Sequence, residues 1–526
     1  MTRAIRQTSS QPLAGRALAA LSVCTFALHV LVNRFSPYGF QRDEFLYMAM
    51  GRHLRLWRMD FPPFIAMLSE AERFLLGDSI VAIRLAPALA AALLVLMAGL
   101  IARELGGGKF AQILAAVAVA TSPFFLRSGD LFQPVVLDQL WWTMALFALA
   151  KLGSRAASDD TLSESPRWWI ALGVACGLGL LTKFSLFFFG AALVVAILIA
   201  PQRRVILTPW PWLAAVIAFV IGSPSIVGQV MLGYPVVAQM KALQSSQLAH
   251  VSAWSFVAGQ FYLGPAILLA IAGALYLVLA GRMRAFRAVG WSCIGAFMLL
   301  LVLHGKSYYI SPIYPTLFAA GAIALERWTQ RGTILTATLV RTLAVVLLVA
   351  NAVLVVPLEL PIFSKETTAA FVSRSKMSGA TRTNMGVTLK LPQDYADMLG
   401  WPELAAAVAH VYDSLPAEKR AQVVLGADNY GEAGALEYYG PRLGLPRVVS
   451  SAGSYWFFGP GEKPGTVLVS LGVSKEDLER WYGTVTPAGR VINAWGVPEE
   501  SDVPIFVAEN PRTTLQAVWP SLEGEN

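Results

Sequence analysis

Long apolar runs separated by short polar loops dominate the first 357 residues of the chain. Each run approaches the roughly 20 residues that a helix needs to cross the hydrocarbon core of a bilayer. A helix also satisfies its own backbone hydrogen bonds in lipid. We therefore predict about eleven membrane-spanning helices, at 17–33, 80–102, 110–126, 132–151, 168–182, 184–200, 210–228, 255–280, 288–304, 308–325 and 341–357.

The first run resembles the charged and hydrophobic regions of a signal peptide. It ends at Val32-Asn33-Arg34-Phe35, which contains no small-residue cleavage site, so we interpret it as a retained first span.

After residue 357 the hydrophobic pattern changes. Residues 358–397 look irregular and are enriched in Ser, Thr, Lys and Gly, and beyond Trp401 helical and strand-like periodicities alternate. Helices are predicted at 404–415, 432–439 and 476–482, and short apolar strands at 422–425, 447–450 and 466–471. The predicted fold is thus a mainly α, polytopic membrane domain (1–357) followed by a small C-terminal α/β domain outside the cytoplasm (358–526).

Composition supports a membrane protein, since 56% of the residues are hydrophobic and only 14% are charged. The net charge of +8 does not indicate a nucleic-acid partner, because the Lys and Arg residues lie mostly between the apolar runs. Cys24, Cys176 and Cys293 each lie inside an apolar run, and the histidines are dispersed. The sequence therefore predicts neither a metal site nor a cofactor.

Basic residues in the loops predict the topology. They fall at alternate span ends, which places all of these groups in the cytoplasm: Arg3, Arg6 and Arg16; Arg103 and Lys109; Lys151, Arg155 and Arg167; Arg203 and Arg204; Arg282, Arg284 and Arg287; Arg327 and Arg331. The C-terminal domain then lies outside. The exception is the loop 34–78, which is rich in Arg yet falls outside. Either it contains an amphipathic helix at the lipid headgroups or it forms an anion site.

That outer loop also contains two acidic turns. The first is Arg42-Asp43-Glu44, and the second is Asp60 in Asp60-Phe61-Pro62-Pro63. Acidic residues are favoured at helix N-termini, so each turn is consistent with a simple helix cap. Both turns on one face of the membrane, bracketing one amphipathic helix, are also consistent with a functional site.

Further charged residues fall on the same predicted side. Asp138 lies in the apolar fourth span, where an unpaired charge costs on the order of 3 kcal/mol, so it should face a polar cavity or a hydrogen-bonding partner. Lys183 occupies a tight outer turn, and Lys306 precedes the tenth span. Each lysine alone is consistent with snorkelling to the headgroups. Together, such cations can hold a lipid phosphate while a carboxylate deprotonates a nucleophile.

In their order along the chain and their shared side of the membrane, these motifs resemble those of the GT-C membrane glycosyltransferases of glycosyltransferase family 39. This family includes the protein O-mannosyltransferase and aminoarabinose transferase type. The matching pieces span about residues 30–330: Asp43-Glu44, Asp60-x-Pro62-Pro63, Asp138, Gly179-Leu-Leu-Thr182-Lys183, and Lys306-x-Tyr308-Tyr309 leading to Pro312-x-x-Pro315. The resemblance implies transfer of a sugar from a polyprenyl-phosphate donor to a lipid, glycan or protein acceptor at the outer face of a bacterial inner membrane.

The resemblance also implies roles for individual residues. Asp43 is the expected catalytic base, Glu44 supports it or binds the acceptor, and Asp138 is a second acidic residue at the site. Lys183, Lys306 and Arg42 are expected to hold the donor phosphate. Tyr308 and Tyr309 line the sugar or prenyl path, and Asp60 belongs to the substrate site.

Two other classes of protein remain open from the residues themselves. A transporter also needs intramembrane Asp and Lys, although the sequence shows neither repeated halves nor paired broken helices. A non-catalytic lipid-binding assembly protein would use the outer domain to dock a partner. Residues 358–526 contain no motif that identifies the acceptor.

Overall fold

The computed structural model describes residues 11–159, 166–248, 251–375 and 378–523, so Arg3 and Arg6 of the first basic group lie outside the described residues. The chain divides into two compact units. The helical unit comprises Met1–Phe35, Ile83–Val227 and Ala242–Leu360. The mixed unit comprises Ser36–Ala82, Gly228–Lys241 and Pro361–Asn526, and so combines the C-terminal segment with the first outer loop and a short middle segment.

Helices account for most of the chain up to residue 359. They are α1 (Gly15–Phe35), α2 (Arg42–Arg52), α3 (Phe64–Leu76), α4 (Ile80–Ile83), α5 (Leu85–Glu104), α6 (Lys109–Ala120), α7 (Pro123–Asp130), α8 (Pro134–Asp159), α9 (Pro166–Thr182), α10 (Leu186–Ile199), α11 (Pro209–Met231), α12 (Pro235–Ser245), α13 (Ala253–Gln260), α14 (Ala266–Leu279), α15 (Arg287–Val302), α16 (Tyr314–Thr329) and α17 (Ile334–Glu359). Short 3-10 segments occur at Arg203–Leu207, Phe261–Leu263, Gly281–Phe286 and Ser307–Ile313.

The structure confirms a multi-pass membrane protein. In the described part of the chain, seven helices are long and apolar enough to cross a membrane, or nine if each of two bent helix pairs forms one span. A shorter apolar helix, α10, has 14 residues, and helix α9 before it has 17. Each of the eleven predicted spans overlaps one of these helices or bent pairs.

Proline and glycine explain where the two bent pairs break. Helix α7 starts at Pro123, which has no N–H to continue the hydrogen bonds of α6, and the two axes differ by 58°. Between α13 and α14 the direction changes by 110°. There Gly264 has a φ of +57°, a left-handed conformation that glycine adopts readily, and Pro265 follows.

Close glycine contacts pack the helical unit. A Cβ atom added to Gly273 of α14 would lie 2.0 Å from the carbonyl oxygen of Leu317 in α16, and one added to Gly321 of α16 would lie 2.0 Å from the carbonyl oxygen of Leu269 in α14. Neither position can hold a larger residue without separating the helices. This is the small-residue packing by which membrane helices approach each other closely.

The C-terminal part of the mixed unit is an α/β fold, as predicted. Its helices are α18 (Lys365–Ser375), α19 (Gln393–Ala396), α20 (Trp401–Ser414), α21 (Ala417–Gln422), α22 (Tyr430–Tyr439), α23 (Ser454–Phe458), α24 (Lys475–Trp481), α25 (Pro498–Ser501) and α26 (Leu515–Val518), with 3-10 segments at Ser378–Thr381, Gly440–Leu443 and Trp519–Leu522. Its strands are β1 (Val423–Ala427), β2 (Val448–Val449), β3 (Val467–Leu471), β4 (Tyr482–Ile492) and β5 (Asp502–Pro511).

The strands form one sheet with the order β2-β1-β3-β5-β4. β1 pairs in parallel with β2 and β3, with Leu425 opposite both Val448 and Val469. β5 runs antiparallel to β3 and β4, and β4 contains an irregularity between Pro487 and Gly489. β1 and β3 are buried along their whole length, as expected for central strands that are covered on both faces.

The first outer loop packs into this α/β fold through α2 and α22. A Cβ atom on Gly431 would lie 2.4 Å from Cγ of Arg42, and one on Gly434 would lie 2.5 Å from Cβ of Phe45. Backbone hydrogen bonds add to this contact, since the N–H of Gly39 donates to Met398 and that of Arg42 donates to Asp397. The N-terminal end of α2 is thereby fixed against the C-terminal segment.

The Gly434→Ala variant should therefore destabilise the protein. Its new methyl group would meet Cβ and the backbone carbon of Phe45 at 2.5 and 3.0 Å, so α2 and α22 must move apart. We expect a loss on the order of 1–3 kcal/mol, seen as a lower thermal midpoint of the detergent-solubilised protein. The matched control is Gly379→Ala, where the added atom meets nothing within 4 Å. Equal midpoints for the two variants would contradict the close packing.

Candidate active site

Glu44 acts locally as a helix cap. Helix α2 is preceded by Gln41, whose side-chain oxygen accepts a hydrogen bond from the N–H of Asp43, while the carboxylate of Glu44 accepts one of 2.6 Å from the N–H of Gln41. This reciprocal arrangement is a capping box. Glu44 is fully buried in it. The capping interpretation of the acidic pair thus holds for Glu44, and a catalytic role for Glu44 stays a prediction.

Asp43 makes a different contact. Its Oδ1 atom accepts a hydrogen bond of 2.8 Å from the phenol of Tyr430, the first residue of α22. Helix α22 has its own capping box, in which Asn429 accepts from the N–H groups of Gly431 and Glu432. Two capped helix N-termini therefore bring the carboxylate of Asp43 and the hydroxyl of Tyr430 together.

Arg42 lies among acidic groups of the mixed unit. Its guanidinium carbon is 5.5 Å from the centre of the Tyr430 ring. Although burial opposes its charge, the nearby Tyr430, Asp397, Asp43 and Glu500 raise the pKa of Arg42 above its ordinary value. Arg42 therefore keeps its positive charge, which the surrounding carboxyl groups balance.

Burial raises the pKa of two of these carboxyl groups. Burial raises the pKa of Asp397 to about 7, although the positive charge of Arg42 opposes the shift. Burial likewise raises the pKa of Glu500 to about 7 against Arg42 and a hydrogen bond of 3.0 Å from Asn429. The side chain of Gln41 donates to Asp397, so this carboxyl group also contacts the α2 cap.

Asp60 is not the cap of α3. That helix is preceded by Pro63 and has no side-chain cap, whereas Oδ2 of Asp60 accepts a hydrogen bond of 2.7 Å from Ser454 and its carbonyl accepts one of 2.6 Å from Gln229. Burial raises the pKa of Asp60, and the Ser454 hydrogen bond opposes the shift. Asp60 thus contacts the later segments of the mixed unit.

The helical unit brings a second set of predicted residues together. Asp138 is buried in α8 and accepts a hydrogen bond of 2.8 Å from Ser185, and the charge of Lys183 acts on it electrostatically. The ammonium of Lys183 lies 4.5 Å from the ring centre of Tyr309 and 5.6 Å from that of Tyr308. These are cation–π distances. A cation, an acid and two aromatic rings therefore share one site.

Lys306 belongs to the same stretch of chain as these tyrosines. It precedes the 3-10 segment Ser307–Ile313, and its ammonium donates to the side-chain oxygen of Gln247. The structure therefore distributes the predicted residues over both units: Arg42, Asp43, Glu44 and Asp60 in the mixed unit, and Asp138, Lys183, Lys306, Tyr308 and Tyr309 in the helical unit.

Sequence reasoning missed Tyr430, Asp397 and Glu500. The signature Asn429-x-x-Glu432 does indicate a helix start, but it gives no sign that the residue after the cap would reach Asp43, 387 positions earlier. Hydrophobic patterns report which face of an element is buried. They do not identify the partner across such a separation.

A buried polar cluster in the helical unit was also missed. Arg84 donates to the side-chain oxygen of Asn33 at 2.9 Å and lies 3.9 Å from Asp130, and His29 lies 3.7 Å from the same carboxylate. These residues come from α1, the start of α5 and the end of α7. The cluster thus links three helices of the unit through buried polar groups.

No group of three or more His, Cys, Asp or Glu side chains that could hold a metal ion occurs within residues 11–159, 166–248, 251–375 and 378–523.

This architecture is the GT-C fold of membrane glycosyltransferases, as predicted. Crystal structures of ArnT from Cupriavidus metallidurans, one bound to undecaprenyl phosphate and one in the apo state, match 93% and 94% of this chain and 97% and 98% of their own, with TM-scores of 0.59 and 0.58 at 16% identity. An oligosaccharyltransferase from Archaeoglobus fulgidus in complex with zinc and sulfate matches 85% of this chain and 68% of its own, with a TM-score of 0.50 at 14% identity.

At the level of sequence, residues 60–227 match the family model described as dolichyl-phosphate-mannose-protein mannosyltransferase. The matched segment contains Asp60, Asp138 and Lys183, whereas Asp43 and Lys306 lie outside it. No curated protein matches the chain in sequence. The predicted resemblance to GT-C glycosyltransferases is thereby confirmed.

Asp397 should make the stability of the protein depend on pH. Its pKa is about 7 in the folded protein, above the ordinary value of about 4, so the folded state binds this proton more tightly and stability declines as pH rises from about 4 to about 7. The Asp397→Asn variant stays neutral throughout. Relative to the wild type, its thermal midpoint should rise by a few degrees between pH 5 and pH 8.

The control for this measurement is Asp413→Asn, whose side chain is 65% exposed. Its thermal midpoint should equal that of the wild type at pH 5 and at pH 8. A constant difference between Asp397→Asn and the wild type across this range would contradict the raised pKa.

Proposed function

We propose that the chain is a glycosyltransferase that transfers a sugar from a polyprenyl-phosphate donor to an acceptor at the outer face of a bacterial inner membrane, with the C-terminal segment on that outer side. The GT-C fold and the match of residues 60–227 support the class of reaction. The observation that carries the proposal is the hydrogen bond of Asp43. In the acidic pair at the start of α2, Glu44 caps the helix, while the carboxylate of Asp43 is held by Tyr430.

In this mechanism Asp43 acts as a general base. It takes the proton from the acceptor hydroxyl or amine as that nucleophile attacks the anomeric carbon of the donor. The bond between this carbon and the phosphate oxygen breaks, and polyprenyl phosphate leaves with the bonding electron pair. Direct displacement inverts the anomeric centre. Neither a nucleotide nor a cofactor takes part in these steps.

The leaving phosphate needs positive charge. Lys183 and Lys306 supply it, and each ammonium can donate to phosphate oxygens. Asp138 holds the charge of Lys183 in place, and Tyr308 and Tyr309 line the path of the sugar or the prenyl chain. Arg42, the third cation expected to hold the donor phosphate, is close enough to Tyr430, Asp397 and Glu500 for their charges to act on it.

The Asp43→Asn variant tests the assignment of the base. We expect turnover of a labelled donor, such as undecaprenyl phosphate [14C]mannose or another sugar from a panel, to fall by about 10² or more, because the amide cannot accept the proton. Thermal stabilisation by undecaprenyl phosphate should persist. Asp413→Asn serves as the control and should keep full turnover. A fully active Asp43→Asn variant would overturn the assignment, and a transporter or an assembly protein would show no donor turnover in any variant.

The Lys183→Gln variant tests the phosphate site. Loss of a charge-assisted hydrogen bond should weaken binding of undecaprenyl phosphate about tenfold or more, measured with the full chain in nanodiscs. Lys109→Gln, an exposed lysine on the predicted cytoplasmic side, should bind as the wild type does. Equal affinities in both variants would contradict a role for Lys183.

A further inference from the structure

The partner of Asp43 comes from the C-terminal segment, for which the sequence indicated no role. The Tyr430 phenol donates to Oδ1 of Asp43 over 2.8 Å. Burial, together with the negative charge of Asp43, raises the pKa of Tyr430 above its ordinary value, although Arg42 opposes the shift. The phenol therefore keeps its proton at neutral pH and remains a hydrogen-bond donor.

Contacts of its two chain neighbours and of its own ring restrain Tyr430. Asn429, directly before it, accepts from two N–H groups of α22 and donates to Glu500 at 3.0 Å. Gly431, directly after it, leaves no space for a Cβ atom against Arg42. The guanidinium of Arg42 lies over the Tyr430 ring itself. The chain is therefore restrained on both sides of Tyr430, and the ring is covered on one face by Arg42.

We propose that Tyr430 is a positioning residue for the catalytic base, which orients the carboxylate of Asp43 and keeps it ionised. A hydrogen bond to the charged form of a carboxyl group lowers its pKa, so the base is available at lower pH than it would be alone. The inference rests on the proposed function. It gives the C-terminal segment a part in positioning the base, since the donor to Asp43 comes from α22.

Other charged groups also act on Asp43. Arg42 precedes it on α2, and Asp397, at the end of α19, lies close enough to act on Arg42, Asp43 and Tyr430. Glu500 of α25 and Asp394 of α19 act on this set through Arg42 and Asp397. None of these groups changes in a Tyr430→Phe variant, so a shift in the titration of Asp43 in that variant reports on the phenol.

The first experiment is an infrared titration of the purified full chain. The carboxyl band that disappears in Asp43→Asn belongs to Asp43. In Tyr430→Phe we expect its titration midpoint to move up by about one pH unit or more, because the charged form loses a donor. The matched control is Tyr438→Phe on the same helix, whose hydroxyl donates to the backbone carbonyl of Asp78 at 2.7 Å. It should leave the midpoint unchanged.

The second experiment measures donor turnover against pH. The acid limb of the profile for Tyr430→Phe should move up by the same interval, with a fall in kcat of about tenfold at neutral pH and a KM for the donor within about twofold of the wild type. If Tyr430→Phe fails to fold, 3-fluorotyrosine at position 430 replaces it. This stronger donor should move both the midpoint and the acid limb down.

The outcomes separate the two proposals. An unchanged midpoint of Asp43 in Tyr430→Phe, or in the fluorotyrosine protein, overturns the role of Tyr430 whatever the activity. A shifted midpoint together with full turnover in Asp43→Asn overturns the proposed function instead, because the hydrogen bond would then hold a carboxylate that is not the base.

Discussion

The contact between α2 and α22 is the constraint on which the candidate active site depends. Gly431 and Gly434 let the two helices approach until neither position has space for a Cβ atom. Both helices begin with a capping box, so the direction of each N-terminus is fixed by backbone hydrogen bonds. Asp43 and Tyr430 lie at these two ends. Their hydrogen bond thus depends on the close packing that the two glycines allow and on the two capping boxes.

Buried charged residues of the helical unit lie beside polar, charged or aromatic partners. Asp138 is compensated by Ser185 and by the charge of Lys183, and Lys183 lies against two tyrosine rings. Arg84 lies 3.9 Å and His29 lies 3.7 Å from the carboxylate of Asp130. A charge within apolar helices is costly unless it has partners. The Asp130 cluster joins residues of three helices, whereas Lys183 lies against two tyrosine rings.

Residues with a strong local signal could be predicted from the sequence. Apolar length alone placed a helix or bent helix pair at each of the eleven predicted spans. Short valine-rich runs identified β1, β2 and β3, since buried strands require such runs. Asp138 was predictable, since a carboxylate in an apolar span needs a partner. Tyr430, Asp397 and Glu500 could not be predicted in this way. The contact that makes them important joins residues 387 positions apart in the sequence, and it depends on glycines that look like ordinary helix interruptions.

The mixed unit is assembled from three separate stretches of chain, Ser36–Ala82, Gly228–Lys241 and Pro361–Asn526. During synthesis the first stretch emerges long before α22 exists. Until then Phe45 lacks its close contact with Gly434, and the candidate base lacks the hydrogen bond from Tyr430. Contacts of such high sequence separation form late and slowly. The mixed unit is therefore complete only when its C-terminal segment has folded onto the loop that follows the first helix.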